Sequence, residues 1–437
     1  MLRSERRVVI TGLGLITPIG IGPTEVWASL AAGRSGVARI QAFPVDGLST
    51  DAVGEILKFD PKSLVNAKHR KAFAKNLKVM ARDIQLAVAG AEIAVADAGL
   101  LDGGVDPTRF GVDLGAGLIS TELDDLAPSI NLATRPDGSF DYQVYGRDGL
   151  PLITPLWLLK YLPNMLACHI SILMDCQGPS NSITEAEAAS NVAIGEATRI
   201  IASGRADVMI TGGADSKIHP LSLIRMSLLG QMSRWEGPAS QACRPFDLKR
   251  DGWVAGEGSG ILVLEEYEHA KARGAKIYGE ILGFGSGCDA SPKGGIDPEG
   301  SGTEIAIRAA IRDSGLLPSE IGHVNAHGAA TVEMDLAEAR AISRVFGEEG
   351  VPVTALKGYF GNIASGCGAV ELIASLLGVN HGLIPATVNC DDLDPACTLD
   401  VVRGEPRPVT NRTFLNTNLT RHGQAAALVV RGAPSPV

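Results

Sequence analysis

The order of helix and strand signals constrains the fold most. Residues 188–202 carry apolar side chains at helical spacing and end near Gly204, and residues 207–213 then form an apolar run that ends in two glycines. A helical period followed by a short buried strand is typical of α/β proteins. The 52 glycines and the 5 % aromatic content also favour a tightly turned α/β chain over a β-sandwich. The pattern predicts an α/β fold whose central strands are mostly parallel.

The second half of the chain starts the same pattern again. Strands are predicted at 7–12, 207–213, 260–265, 276–283, 323–327 and 425–431, and helices at 81–100, 188–202, 303–314, 334–346 and 368–378. Two halves of similar content suggest an internal structural duplication, although no repeat is visible in the sequence itself. We therefore expect two halves, at residues 6–262 and 263–431.

Charge and hydropathy exclude several classes of protein. A net charge of −10 argues against general nucleic-acid binding. The apolar run at 8–21 is interrupted by Gly12, Gly14, Pro18 and Gly20, so it predicts a first buried strand rather than a signal peptide. The apolar stretch 151–174 contains charged and proline residues, and no transmembrane helix is expected.

The cysteines and the first glycines give no metal or cofactor site. The seven cysteines contain no C-x-x-C pair, which fits free thiols in a reducing, cytoplasmic compartment better than disulfides or zinc. Gly12 and Gly14 follow a strand, but Thr17 stands where a dinucleotide-binding motif needs its third glycine. We expect no metal and no cofactor.

Four motifs, in order along the chain, carry a resemblance to a known family. They are Arg-Arg-Val-Val-Ile-Thr-Gly-Leu-Gly at 6–14, Arg-Pro-Phe-Asp at 244–247 with Arg-Asp-Gly-Trp-Val-Ala-Gly-Glu-Gly at 250–258, Val-Asn-Ala-His-Gly at 324–328, and Lys357 with Gly-Ala-Val-Glu at 368–371. From about residue 6 to 431 the chain resembles a type II β-ketoacyl-acyl-carrier-protein synthase. The resemblance implies the five-layered α-β-α-β-α thiolase fold, with both histidine loops in the second half.

The resemblance also implies where the nucleophile belongs. The segment 178–190 is similar to the family's nucleophile turn, in which the sequence Thr-Ala-Cys-Ala supplies the thiol that holds the acyl chain. Here Glu187 stands in the place of that cysteine. A helix N-terminus, which the family places there, favours an anion. Glu187 can plug the site, take part in decarboxylation or proton transfer, or act covalently. Cys168 and Cys176 match no family nucleophile, and we expect them to be small buried residues.

Four more residues match, or replace, the family's catalytic set. His327 matches the first histidine, which either donates to an oxyanion or only holds its loop. Asn362 stands at the second histidine, and its amide can also donate to an oxyanion. Priming enzymes of the thiolase fold use cysteine, histidine and asparagine. Lys357 and Glu371 match the pair that supports the histidine loops, for which an ordinary buried salt bridge is the alternative.

The loop before the last strand departs from the family pattern. The family has Asn-Ser-Phe-Gly-Phe-Gly-Gly-Thr-Asn, whereas residues 417–425 are Thr-Asn-Leu-Thr-Arg-His-Gly-Gln-Ala. The resemblance places Arg421 at the gating phenylalanine, followed by His422 and Gly423. The glycine-rich gate that moves when an acyl chain enters is therefore missing.

Basic residues cluster in an otherwise acidic chain. Residues 55–80 contain two acidic residues and seven basic ones, which are Lys58, Lys62, Lys68, Arg70, Lys71, Lys75 and Lys78. The family docks its acidic acyl carrier protein in a similar region, which points to Lys62, Lys68, Arg70 and Lys71. A solvated helix face is the alternative.

Together, these departures favour a chain-length-factor-like subunit of type II polyketide or fatty-acid synthesis. Such a subunit pairs with an active ketosynthase in a heterodimer, to which a homodimer is the alternative, and shapes the acyl tunnel. The leucine-rich and methionine-rich stretch 151–174 is a candidate for the interface and the tunnel. The first alternative is a free-standing malonyl-acyl-carrier-protein decarboxylase. The second is an active 3-oxoacyl-acyl-carrier-protein synthase.

Overall fold

A computed structural model describes residues 6–291, 294–348 and 350–434. The long strands of the first half are β1 Val8–Thr17, β2 Phe110–Gly115, β3 Ser180–Ile183, β4 Val208–Ser216 and β5 Ala255–Glu266. Those of the second half are β6 Gly279–Cys288, β7 His323–Ala326, β8 Pro352–Ala355, β9 Thr413–Leu419 and β10 Gln424–Gly432. Two-residue and three-residue strands lie at Gly20–Ile21, Ala38–Arg39, Ala52–Gly54, Leu383–Ile384, Asp400–Val401 and Arg407–Pro408.

The helices alternate with these strands. They are α1 Pro23–Ala31, α2 Ala67–Asn76, α3 Arg82–Asp97, α4 Leu123–Ala133, α5 Met165–Met174, α6 Ala189–Ala202, α7 Pro220–Leu228, α8 Tyr267–Ala272, α9 Ser301–Ser314, α10 Val332–Phe346 and α11 Cys367–Asn380. Short helical turns lie at Pro61–Leu64, Tyr142–Val144, Ala186–Ala188, Lys357–Phe360 and Ala364–Gly366. No helix in the described part of the chain is long and apolar enough to cross a membrane.

The two halves repeat one strand order. The order is β3-β2-β4-β5-β1 in the first half and β8-β7-β9-β10-β6 in the second, with a further short strand beside β8. A three-residue ladder between β1 and β6 joins the halves into one hydrogen-bonded sheet. The same topology twice is the duplication that the sequence suggests. The predicted division at residues 262 and 263 lies within β5.

The expectation of mostly parallel strands is wrong. The ladders of β2 with β3 and β4, and of β7 with β8 and β9, are parallel. The ladders of β5 with β1 and β4, and of β10 with β6 and β9, are antiparallel, so each half is a mixed sheet. For β10 the reason is local, because four residues join it to β9 and so short a connection permits only an antiparallel hairpin.

The layers follow from which faces the helices bury. α6 and α11 lie between the two halves and contact strands of both. All side chains of α11 from Cys367 to Val379 are buried, which explains why this helix is almost entirely apolar. α3 and α5 cover the outer face of the first half, and α9 and α10 cover that of the second. The result is the five-layered α-β-α-β-α architecture.

Candidate active site

Glu187 lies where the parallel strands of the first half end. It is in the turn Ala186–Ala188, directly before α6, and only 4 % of the residue is exposed. The preceding Ala186 has φ +44°, a left-handed conformation that residues with a Cβ rarely adopt. The carboxyl ends of parallel strands are the usual place for a ligand site in such a sheet. The turn therefore presents one side chain at the start of a helix, as the sequence predicts.

Asn362 is the neighbour of Glu187 across the site. Its Nδ2 lies 3.5 Å from Glu187 Oε1, and its Oδ1 accepts hydrogen bonds from the Ala364 amide at 2.8 Å and from Cys367 Sγ at 3.3 Å. Because Oδ1 faces these donors, the NH2 group faces the carboxyl. Burial raises the pKa of Glu187, and the charge of Lys357 and the Asn362 amide offset this only in part. The site thus holds a poorly solvated carboxyl.

His327 is fully buried, and its tautomer is set by its neighbours. Its Nδ1 lies 3.0 Å from Lys357 Nζ and 3.0 Å from Asn418 Nδ2, both of which are donors. Nδ1 must therefore accept, which leaves the proton on Nε2. Burial and the charge of Lys357 hold the pKa of His327 well below its ordinary value. Nε2 has no hydrogen-bond partner among the described residues, so a neutral N–H donor stands free in the site.

Lys357 and Glu371 form a buried pair that orients His327. Lys357 Nζ donates to Glu371 Oε1 at 2.6 Å and to the His327 carbonyl oxygen at 2.6 Å. Neither side chain of the pair is exposed. Burial opposes the charge on Lys357, but the attraction of Glu371 prevails and raises the pKa of Lys357 to about 12. The ammonium group therefore stays charged and fixes both the backbone and the ring of His327.

A second carboxylate fixes the loop that carries His327. Glu338, on α10, accepts from the His327 amide at 2.7 Å, from the Gly328 amide at 2.9 Å and from Thr417 Oγ1 at 2.7 Å. Asp335, one turn earlier, accepts from the amides of Phe246 and Ala330. The loop is thus held by hydrogen bonds from its backbone amides to two buried carboxyl groups.

A chain of buried asparagines was not predicted from the sequence. Asn416 donates to Asn191 at 3.0 Å, Asn191 to Asn418 at 2.8 Å, and Asn418 to Glu371 at 2.7 Å. Asn418 also reaches His327, so the chain connects α6 with the histidine loop. Gly368 makes room for it, because a Cβ there would lie 2.6 Å from Asn191 Oδ1. Asn416 and Asn418 alternate along β9, all of whose residues are buried, and this alternation was the one signal available in the sequence.

The cysteines differ in burial. Cys168 and Cys176 are half-buried, which is less than the sequence predicts. Cys168 lies on α5, which packs only one of its faces inward, and Cys176 lies two residues beyond the end of α5. Cys367, which belongs to no motif recognised in the sequence, is buried in the site beside Asn362. Burial raises the pKa of the Cys367 thiol well above its ordinary value. A protonated thiol is a weak nucleophile.

Arg421, His422 and Gly423 form the tip of the hairpin between β9 and β10. The Gly423 amide donates to the Thr420 carbonyl at 3.0 Å, and Gly423 has φ +86°, which suits glycine. Arg421 Nε donates to His422 Nε2 at 3.1 Å. The tip follows directly on β9, which supplies Asn418 to the site.

The predicted docking residues lie on the surface of the first half. Lys62 is in the turn Pro61–Leu64, and Lys68, Arg70 and Lys71 are on α2, all of them exposed. Lys68, Lys71, Lys75 and Lys78 follow one another at intervals of three and four residues. This spacing places them on one side of the helical segment.

Comparisons with known proteins agree with this geometry. The family model "Beta-ketoacyl synthase, N-terminal domain" matches residues 5–270, and "Beta-ketoacyl synthase, C-terminal domain" matches 278–391. The 3-oxoacyl-[acyl-carrier-protein] synthase 2 of Vibrio cholerae is 34 % identical over 418 residues, which are 95 % of this chain and 96 % of that protein.

Two solved assemblies are similar over nearly the whole chain. The ishigamide ketosynthase/chain length factor has a TM-score of 0.83 at 31 % identity and covers 98 % of this chain and 100 % of its own. A type II polyketide acyl-carrier protein in complex with its ketosynthase bound to a hexaketide has a TM-score of 0.83 at 29 % identity and the same coverage.

Proposed function

The chain belongs to the beta-ketoacyl synthase family of fatty-acid and polyketide synthesis, and we propose that within it the chain is a chain-length-factor-like subunit. Such a subunit pairs with an active ketosynthase and shapes the acyl tunnel. One observation carries the proposal: the side chain at the start of α6 is the buried carboxyl of Glu187.

The chemistry of condensation supports this proposal. A condensing enzyme first transfers an acyl group from a thioester to its own nucleophile. A carboxylate that accepted the acyl group would form an anhydride, which hydrolyses readily. Burial also raises the pKa of Glu187, so its ionised, nucleophilic form is disfavoured. A subunit with this side chain needs a partner that supplies the thiol.

The surface of the first half supports pairing. β3 is the outermost strand of the first half, so one of its edges has no neighbouring strand within the described ranges. The segments between β2 and β3, of which α5 contacts β3, expose large apolar side chains, which are Leu118, Leu123, Ile130, Leu132, Tyr142, Leu150, Leu152, Leu156, Leu158 and Ile172. A free edge beside apolar surface suits a protein interface. The stretch 151–174 contributes several of these residues.

Co-expression with a ketosynthase paralogue that retains its cysteine tests the proposal. We expect a 1:1 heterodimer by native mass spectrometry. The double variant Leu152→Asp with Leu156→Asp should weaken pairing, because it places charge on the proposed interface. Both residues are more than half exposed in the single chain. A stable homodimer that ignores the paralogue would contradict the proposal.

A second function, decarboxylation of malonyl thioesters, is favoured by the free Nε2–H of His327. This donor can stabilise the enolate oxygen that forms when CO2 leaves. Incubation of the purified chain with malonyl-carrier protein distinguishes the two functions. Release of acetyl-carrier protein, abolished by His327→Ala, would favour the decarboxylase, and an unchanged malonyl thioester would exclude it. Elongation of an acyl chain without a partner would favour an active synthase.

A further inference from the structure

Three ionisable side chains, two of which form an ion pair, lie together in the first half near Glu187. Lys217 Nζ is 2.7 Å from Asp215 Oδ1. The Asp215 side chain is fully buried, and that of Lys217 is 18 % exposed. Asp83, at the start of α3, accepts from the Ser216 amide at 3.1 Å and is also buried. We refer to Asp83, Asp215 and Lys217 as the charged plug.

The charged plug is connected to the candidate site by Ser365. Asp215 Oδ2 lies 3.0 Å from Ser365 Oγ and 3.3 Å from the Ser365 amide, which are both donors. Ser365 belongs to the turn that joins Asn362 to α11. On the other side, a Cβ at Gly213 would lie 3.0 Å from Ser190 Cβ, in the first turn of α6. The positive charge of Lys217 also offsets part of the rise that burial causes in the pKa of Glu187.

The charged plug is closely packed against the loop after β2. A Cβ on Gly117 would lie 2.2 Å from Asp215 Oδ2, so the carboxylate occupies the space beside that glycine. Lys217 Nζ lies 3.5 Å from the carbonyl oxygen of the neighbouring Leu118. Burial and the charge of Asp215 raise the pKa of Asp83 to about 8. The interior beside Glu187 is therefore polar and filled on this side.

We propose that Asp83, Asp215 and Lys217 keep an acyl chain out of this chain's own interior beside Glu187. An alkyl chain placed there would have to desolvate the ammonium and carboxylate groups or separate a buried ion pair, and both are unfavourable. One consequence of the exclusion rests on the proposed function. In an assembly with a ketosynthase, the growing acyl group is housed on the partner's side. The exclusion itself concerns this chain alone.

A thiol at position 187 allows the exclusion to be measured. In Glu187→Cys, iodoacetamide and N-dodecyl iodoacetamide differ mainly in the alkyl chain that must be accommodated. We expect the dodecyl probe to label residue 187 about tenfold more slowly or worse, because its chain meets buried charge. Labelling is assigned to residue 187 by peptide fragment ions, since Cys288 is exposed and Cys168 and Cys176 are half-buried.

Removal of the ion pair should abolish the exclusion. Adding Asp215→Ala and Lys217→Met to Glu187→Cys removes one charge of each sign, and the two probes should then react at rates within about threefold of each other. The matched control introduces Lys249→Met and Asp392→Ala at an exposed ion pair whose atoms are 3.3 Å apart. It should leave labelling by the dodecyl probe slow. Cooperative unfolding of each variant confirms that it is folded.

A binding measurement covers the case in which the new thiol reacts with neither probe. In the chain that keeps Glu187, Asp215→Ala with Lys217→Met should create a saturable site for the fluorescent fatty acid cis-parinaric acid, and the Lys249 and Asp392 control should not. Equal labelling of Glu187→Cys by both probes would overturn the proposal. So would a folded variant with Asp215→Ala and Lys217→Met that excludes both the dodecyl probe and the fatty acid. Failure to form a heterodimer would instead contradict the proposed function and leave the exclusion standing.

Discussion

The Asn362 side-chain amide faces the Glu187 carboxyl at 3.5 Å, across the gap between α6 and the turn that precedes α11. The two residues stand where the resemblance implies a cysteine and a histidine. The Glu187 carboxyl thus accepts from the Asn362 amide, which could otherwise donate to an oxyanion. The Nε2–H of His327 has no hydrogen-bond partner among the described residues. Of the two positions from which the resemblance implies a donor to an oxyanion, 327 and 362, only His327 therefore keeps its donor available.

Glu187→Gln should stabilise the protein at alkaline pH. Because burial raises the pKa of Glu187, the folded state binds its proton more tightly than the unfolded state does. The stabilisation from this proton is present at low pH and is lost as pH rises past the ordinary value of 4.5 towards the folded pKa. A neutral amide avoids the loss, and we expect a gain of about 1–2 kcal/mol at pH 8 and little change at pH 4.

Urea denaturation at several pH values measures this gain. Glu236→Gln, at an exposed position outside any helix, serves as the control and should show no difference between these pH values. A difference between the Glu187→Gln variant and the unmodified chain that stays constant from pH 4 to pH 8 would argue against a desolvated Glu187.

Lys357→Met should be strongly destabilising. It leaves Glu371 buried without its cation, and breaking such a pair costs about 3–5 kcal/mol. Glu371→Gln should cost a similar amount, whereas the double variant should lose at least about 1 kcal/mol less than the sum of the two single losses. Chemical denaturation of the four proteins gives the coupling energy. Additive losses would mean that the pair does not act as a unit.

Gly368→Ala should disturb the asparagine chain without changing any charge. Its Cβ would lie 2.6 Å from Asn191 Oδ1 and 2.7 Å from Asn418 Oδ1. Crowding of this kind in a packed interior costs about 1–3 kcal/mol. Gly146→Ala is the control, because a Cβ there meets no atom within 4 Å. If thermal unfolding shows equal stability for both variants, the asparagine chain is not tightly held.

Reversal of charge on α2 should weaken binding of an acyl carrier protein. Lys68→Glu with Lys71→Glu places two negative charges on an exposed face, and we expect at least about tenfold weaker binding at low salt. The difference should shrink as salt is added, because exposed charges are screened. Lys249→Glu with Lys271→Glu, also exposed, is the control for isothermal titration calorimetry. Equal effects of both double variants would remove α2 as the docking site.

Helical periodicity located the central helices to within about two residues. The helices predicted at 188–202 and 368–378 are α6 and α11, since a packed helix repeats its buried face regularly. Strands β2, β3, β8 and β9 were not predicted. β9 contains Asn416 and Asn418, which in sequence look like loop residues because asparagine is usually exposed.

The motif residues of the site could be located from the sequence, but their partners could not. His327, Lys357 and Glu371 belong to recognisable motifs, and the structure brings them together. Asn191 and Asp215 acquire their positions only when α6, β4 and the segment after Asn362 pack together. Such contacts between residues more than a hundred positions apart are set by tertiary packing, which local patterns do not record.

Intact mass spectrometry of the reconstituted pair tests the central claim most directly. The full chain is mixed with a cysteine-bearing ketosynthase and an acyl-carrier protein loaded with a short acyl group, and the mass of each subunit is measured after the transfer. The account predicts that only the ketosynthase gains the mass of the acyl group and that this chain keeps its unmodified mass. An acyl group found on this chain, and lost in Glu187→Gln, would contradict it.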